Sequence, residues 1–146
     1  VPPTETIHAT CVAVNGRGVL LLGPSGAGKS DLALRLTDIG GELVADDRVH
    51  LTVADGMLHA SPPPALAGLL EVRGLGIVAM PYLAAAPVVL AVDLGGPPPE
   101  RMPPPMRREF HGIILPLLRL EAFQAATPQK VRLAAAHADG DSLFLR

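Results

Sequence analysis

Cysteine is nearly absent from the sequence. Cys11 is the only one in 146 residues, so no internal disulfide can form, and a reduced, cytoplasmic setting is expected. Excess charge is missing too. The formal net charge is −2 and no run of basic residues occurs, which gives no electrostatic ground for a nucleic acid or an anionic membrane as partner. Val1-Pro2-Pro3-Thr4-Glu5 lacks the basic start and apolar run of a signal peptide. The apolar stretch from Ile77 to Val92 is broken by Pro81 and Pro87, is short for a membrane span, and reads as core strand and loop. An initiator Met is lacking as well, which points to a trimmed sequence or a piece of a longer one. Lysine is scarce, two against ten arginines, so a lysine at a chemically demanding position stands out from its background.

What is present is a globular balance, 49% hydrophobic and 18% charged residues. The length suits one domain over residues 1–146, able to bury roughly 68–70% of its unfolded surface. Ile7 to Val14 reads as a strand, Asn15-Gly16 as a hairpin turn, and Val19 to Leu22 as a short strand buried on both faces. Asp31 to Ile39 carries Leu32, Leu36 and Ile39 on one helical stripe, stopped by Gly40-Gly41. Further strands are expected at Leu43–Ala45, Val49–Val53, Leu58–Ala60, Val88–Leu94 and Ile113–Leu118, with Asp55-Gly56 as a second hairpin turn. Gly95 to Pro105 is a proline-rich loop, and Gln129 to Ala136 a closing helix. The expected class is α/β, one domain with a mostly buried mixed sheet and flanking helices.

Gly23-Pro24-Ser25-Gly26-Ala27-Gly28-Lys29-Ser30 matches G-x-x-x-x-G-K-[ST] in full, between an apolar strand and an amphipathic helix. Each place has a chemical reason. The glycines let backbone N–H groups turn inward around phosphates, and the helix that follows aims its positive end at the same anion. Lys29 then reaches the β- and γ-phosphates, and the Ser30 hydroxyl ligates Mg²⁺. Such a P-loop also needs a carboxylate near the metal. Asp93 ends the apolar run Val88–Val92 in the generic Walker B manner. Asp46 and Asp47 end another strand, and both reach one metal only if the strand finishes there.

The order of His8, the P-loop, Val44-Ala45-Asp46-Asp47 and Leu70-Glu71-Val72-Arg73-Gly74-Leu75-Gly76-Ile77 resembles the catalytic domain of the HPr kinase/phosphorylase family. The resemblance spans most of residues 7–105. It implies a P-loop kinase fold of the PEP-carboxykinase-like kind, and a bacterial enzyme that uses ATP and Mg²⁺ to phosphorylate a serine of the phosphocarrier HPr. It further implies that residues 23–30 hold the nucleotide, that Asp47 takes the proton of the attacking hydroxyl, and that Asp46 supports the metal and its hydrogen bonds. By the same resemblance Glu71 helps bind Mg²⁺, Arg73 lies in the catalytic stretch, His8 is the active-site histidine and Arg101 the catalytic arginine. A homo-oligomer is implied too, since longer members are hexamers.

The residues alone leave other readings open. His8 also fits a satisfied strand histidine, Asp46-Asp47 a solvated turn, Glu71 and Arg73 a same-face ion pair, and Arg101 a solvated loop. Cys11 fits a small core residue, and His50, His59, His111 and His137 show no metal-ligand spacing. A small-metabolite kinase and a silent nucleotide-binding module are the rival functions. Two features depart from the family: no N-terminal domain fits before His8, and the Pro-Gly-Arg-Asn stretch tied to dephosphorylation is replaced by Leu115–Glu121. The second departure predicts weak phosphorylase activity.

Overall fold

The computed structural model describes residues 3–138. In chain order they form β1 (Glu5–Ile7), β2 (Thr10–Val14), β3 (Arg17–Leu22), α1 (Lys29–Asp38), β4 (Glu42–Ala45), β5 (Val49–Ala54) and β6 (Met57–Ser61). There follow β7 (Leu69–Val72), β8 (Gly76–Ala79), β9 (Ala86–Asp93), β10 (Met106–Phe110), β11 (Ile113–Arg119) and α2 (Thr127–Ala136). None of the described helices is long and apolar enough to cross a membrane.

Three hairpins share one turn chemistry. Asn15-Gly16, Asp55-Gly56 and His111-Gly112 each form a two-residue loop with both residues at positive φ, the twist that suits right-handed strands. The third turn is hidden in the sequence. Histidine tolerates the left-handed region less conspicuously than asparagine, and β10 is a mostly exposed strand with Arg107, Arg108 and Glu109 in its middle.

The main sheet runs in the order β1-β5-β6-β9-β3-β2-β4. β3 and β9 are parallel, β11 lies parallel to the last residues of β9, and β10 pairs antiparallel outside β11. Alternation assigns the two faces. Val12, Val14, Val19, Leu21, Leu90 and Val92 pack with Leu32 and Leu36 of α1 and Val131 and Ala135 of α2. Cys11, Ala13, Leu20, Leu22 and Ala91 pack instead with Val49, Leu51, Leu58, Phe110 and Leu115. Both described α-helices therefore cover one face, and the sheet curls its outer strands over the other.

Two expectations need correction. The stretch Ile7–Val14 is two strands, because the chain changes partner at His8-Ala9: β1 pairs with β5, while β2 pairs with β3 and β4. His8 is thereby released from strand alternation. The stretch Ile77–Val92 is core only from β9 onward. β8 belongs to a separate two-stranded hairpin with β7, where Leu75 and Ile77 are 78% and 66% exposed. An apolar run shows that residues are able to be buried, not that a partner covers them.

Leu90 is fully buried between strands and helices, whereas Ile77 is largely in solvent. Leu90→Ala is expected to lower the unfolding free energy by about 2–5 kcal/mol, and Ile77→Ala by less than about 0.5 kcal/mol, in urea denaturation.

Candidate functional site

β3 ends at Leu22 and hands the chain to Gly23, where close packing leaves no room for a side chain: a Cβ there would lie 2.9 Å from that of Ala27. Gly26 and Gly28 then turn at φ of 87° and 98°, conformations that other residues rarely adopt. α1 begins at Lys29 with no side chain capping it, so its first N–H groups stay available to an anion. The Lys29 side chain is buried, and its Nζ donates to the carbonyl oxygens of Gly23 (2.6 Å) and Pro24 (3.0 Å). Burial lowers its pKa from the usual lysine range, against the opposing pull of Asp46 and, after it, Asp47.

Asp46 and Asp47 follow directly on β4 and have opposite surroundings. The Asp46 side chain is buried. Its Oδ1 accepts from the hydroxyls of Thr10 (2.8 Å) and Ser30 (2.8 Å), and its Oδ2 from the backbone N–H of Glu71 (3.1 Å). Its own carbonyl accepts from the N–H of Arg48 (2.7 Å), which folds the chain tightly over Asp47 at φ 67°. That turn swings the Asp47 carboxylate outward, 62% exposed, with Oδ1 3.2 Å from Nε2 of His8. The strand does finish before the pair, as a shared site requires.

One cavity of about 340 Å³ is lined by His8, Ser25, Gly26, Gly28, Lys29, Ser30, Asp46, Asp47, Glu71 and Arg73. Glu71 and Arg73 arrive on the β7–β8 hairpin, whose turn places Gly74 and Gly76 at positive φ. Among the described residues no ion pair joins these two side chains. Ser30 and Asp46 bring two hard oxygens to one point with Glu71 on the same cavity wall. This set suits Mg²⁺, which keeps several waters and takes one or two carboxylates beside phosphate oxygens. Among the described residues no three His, Cys, Asp or Glu side chains form a metal cage of their own.

Two candidates lie elsewhere. Arg101 is exposed on the proline-rich loop and lines a different cavity, with Pro97, Arg119 and Lys130. Asp93 is engaged at the end of β9: its Oδ1 accepts from the Gly95 N–H at 2.9 Å, and its Oδ2 is 3.6 Å from Nε of Arg119. It does not line the cavity beside the P-loop. Cys11 is fully buried and burial pushes its thiol up to about 12, which removes it as a nucleophile near neutral pH.

Two residues of the cavity wall, Thr10 and Phe123, belong to no motif of the sequence. Thr10 left a trace, as a polar residue inside an otherwise apolar strand. Phe123 left none, being one aromatic in a short irregular segment.

The family described as HPr Serine kinase C-terminal domain matches residues 1–86. The chain belongs to this family. The match includes the P-loop, the aspartate pair and the β7–β8 hairpin, and it ends short of Arg101. HPr kinase/phosphorylase of Bordetella petrii is 51% identical over 77 residues, 52% of this chain and 25% of that protein. The enzyme of the same name from Clostridium tetani is 44% identical over 94 residues, 64% of this chain and 31% of that protein. The chain thus spans about a quarter to a third of the length of these relatives. Among solved structures, the Hpr(Ser) kinase/phosphatase from Coxiella burnetii aligns with a TM-score of 0.76 and 25% identity, over 89% of this chain and 87% of that one. The P-loop α/β fold with a curled mixed sheet is the fold of that structure.

The contrast between the two aspartates is measurable as stability. Asparagine at 46 offers one acceptor oxygen where the carboxylate receives three donors, so Asp46→Asn should destabilise by about 1–3 kcal/mol. Asp47→Asn, in solvent, should change stability by less than about 0.5 kcal/mol. Chemical denaturation of the two variants side by side checks this.

Proposed function

We propose that the chain is an ATP- and Mg²⁺-dependent protein serine kinase whose substrate is the phosphocarrier HPr. The observation that carries this reading is the division of labour between adjacent carboxylates. Asp46 is buried and tied to the phosphate-side Ser30, while Asp47 is turned outward beside His8. A macromolecular hydroxyl needs an accessible base, and a nucleotide phosphate needs a fixed, sheltered cradle. The similarity to the HPr kinase/phosphorylases described above supports the substrate.

In this reading the backbone N–H groups of residues 23–30 and the end of α1 hold the triphosphate, and Lys29 offsets its negative charge. Ser30 and Glu71, with Asp46 behind them, would hold Mg²⁺, which when bound neutralises the charge between the outer phosphates. Asp47 accepts the proton of the serine hydroxyl as its oxygen bonds to the γ-phosphorus and the bond from that phosphorus to the β–γ bridging oxygen breaks, ADP leaving, and His8 keeps the Asp47 carboxylate aimed at that proton. Arg73 lines the cavity and is the arginine this reading gives to the charge spreading over the transferred group. Arg101 is not given that part. A reduced cytoplasmic setting and self-association belong to the same reading.

The test is transfer itself. Protein, γ-labelled ATP, Mg²⁺ and purified HPr should yield labelled phosphoserine on HPr, and no label on HPr would refute the assignment. Asp47→Asn should slow transfer by roughly 10²–10⁴-fold with nucleotide affinity little changed. Direction is a separate question. The stretch Leu115–Glu121 takes in the end of β11 and offers a single cation, Arg119. Phosphorylated HPr with millimolar phosphate should therefore release little pyrophosphate. A rate near the forward one would point to the neighbouring cavity, where Arg108 joins His8 and Gly23.

A further inference from the structure

The phosphate cavity does not stop at the P-loop. It continues past Asp31 and Leu34 on the first two turns of α1 and reaches Phe123. Phe123 is 68% exposed, and a lone exposed aromatic is ordinary on a protein surface. Its fixation and position are not ordinary. The chain has three phenylalanines, one tyrosine and no tryptophan, and of the described aromatics only Phe123 lines this cavity. Its neighbour Ala122 is buried in the core. The Arg35 guanidinium of α1 donates to the carbonyl oxygens of Ala122 and Gln124, on either side of the ring. Thr127 closes the segment by donating its hydroxyl to the Glu121 carbonyl oxygen at 2.5 Å. The ring itself rests against the P-loop: a Cβ added at Gly28 would lie 2.8 Å from Cζ of Phe123.

A triphosphate fixed at the start of α1 has its nucleoside on one side and its transferable phosphate on the other. The transferable end belongs with Asp46, Asp47 and His8. What the cavity has left is the strip over Asp31 and Leu34, and it ends on an aromatic face held in place before any ligand arrives. We infer that Phe123 is a nucleobase platform, on which the base of the bound nucleoside triphosphate stacks. The inference rests on the nucleotide reading above and adds to it a residue outside the matched family region 1–86. Stacking is tolerant of base identity because every base has a π face, so Phe123 adds affinity for nucleosides over bare phosphates rather than a choice between purines.

The probes are ATP and inorganic tripolyphosphate, each with Mg²⁺, in equilibrium titrations of wild-type, Phe123→Ala and Phe123→Trp proteins. Phe123→Ala should weaken ATP by roughly 5- to 150-fold and leave tripolyphosphate unchanged. Because the chain has no tryptophan, the Phe123→Trp protein carries a single indole, whose fluorescence ATP should quench and tripolyphosphate should not. Equal weakening of both ligands in Phe123→Ala would make the ring a support for Gly28 and overturn the inference. So would unchanged ATP affinity, or equal quenching by both probes. Wild-type protein that binds tripolyphosphate as tightly as ATP overturns the platform alone. Wild-type protein that binds neither overturns the nucleotide reading, and this inference with it.

Discussion

The buried carboxylate of Asp46 is the constraint on which the site depends. Its three donors come from three different elements: Thr10 at the start of β2, Ser30 in the first turn of α1, and the backbone of Glu71 in β7. No two of these are adjacent in sequence. In a low-dielectric interior an ionised oxygen pair is tolerable only when its lone pairs are met, and the same bonds that satisfy it fix the three elements against one another. The inner strand β2, the helix that follows the P-loop and the exposed hairpin are brought to register at this point. The tight turn over Asp47 then follows from the Asp46 carbonyl, so the strained φ of the outward aspartate is supported by the inward one.

Much of this was legible because local chemistry was strict. A full G-x-x-x-x-G-K-[ST] string between an apolar strand and a helix admits few conformations, and Asn15-Gly16 and Asp55-Gly56 are turns for a stated steric reason. The aspartate pair was legible as a strand end. What could not be read was which elements meet. His8 looked like part of one continuous strand because the change of partner at Ala9 is a tertiary event. The apolar residues of β8 looked like core because side-chain hydropathy does not record whether anything lies above them. Asp93 satisfied the Walker B pattern as well as any residue, and only its contacts with Gly95 and Arg119 show it occupied elsewhere. Thr10 reaches Asp46, and Phe123 the cavity wall, through three-dimensional neighbours with no motif spacing at all.

The two-faced sheet explains why a small domain can hold so precise a site. β3 and β9 lie side by side at its centre, buried above by the helices and below by the curled strands, and the P-loop hangs from the end of β3. Close packing on both faces leaves that end little freedom, and Gly23 is wedged against Ala27 and the Gly95 backbone. Rigidity made in the core is delivered to the loop through one residue.

Lys29 adds a last consequence. Its ammonium is already coordinated by the carbonyl oxygens of Gly23 and Pro24, so an arriving phosphate meets a cation with partners rather than a bare one. On the proposed nucleotide reading, association at that atom would be an exchange of ligands, carbonyl for phosphate. The net gain from the exchange is small while the phosphate charge is that of the resting nucleotide. In the proposed transfer it would grow as negative charge gathers on the oxygen between the β- and γ-phosphorus, because only the phosphate side of the exchange responds to it. On the proposed kinase reading, a lysine held this way would favour the reacting state over the merely bound one.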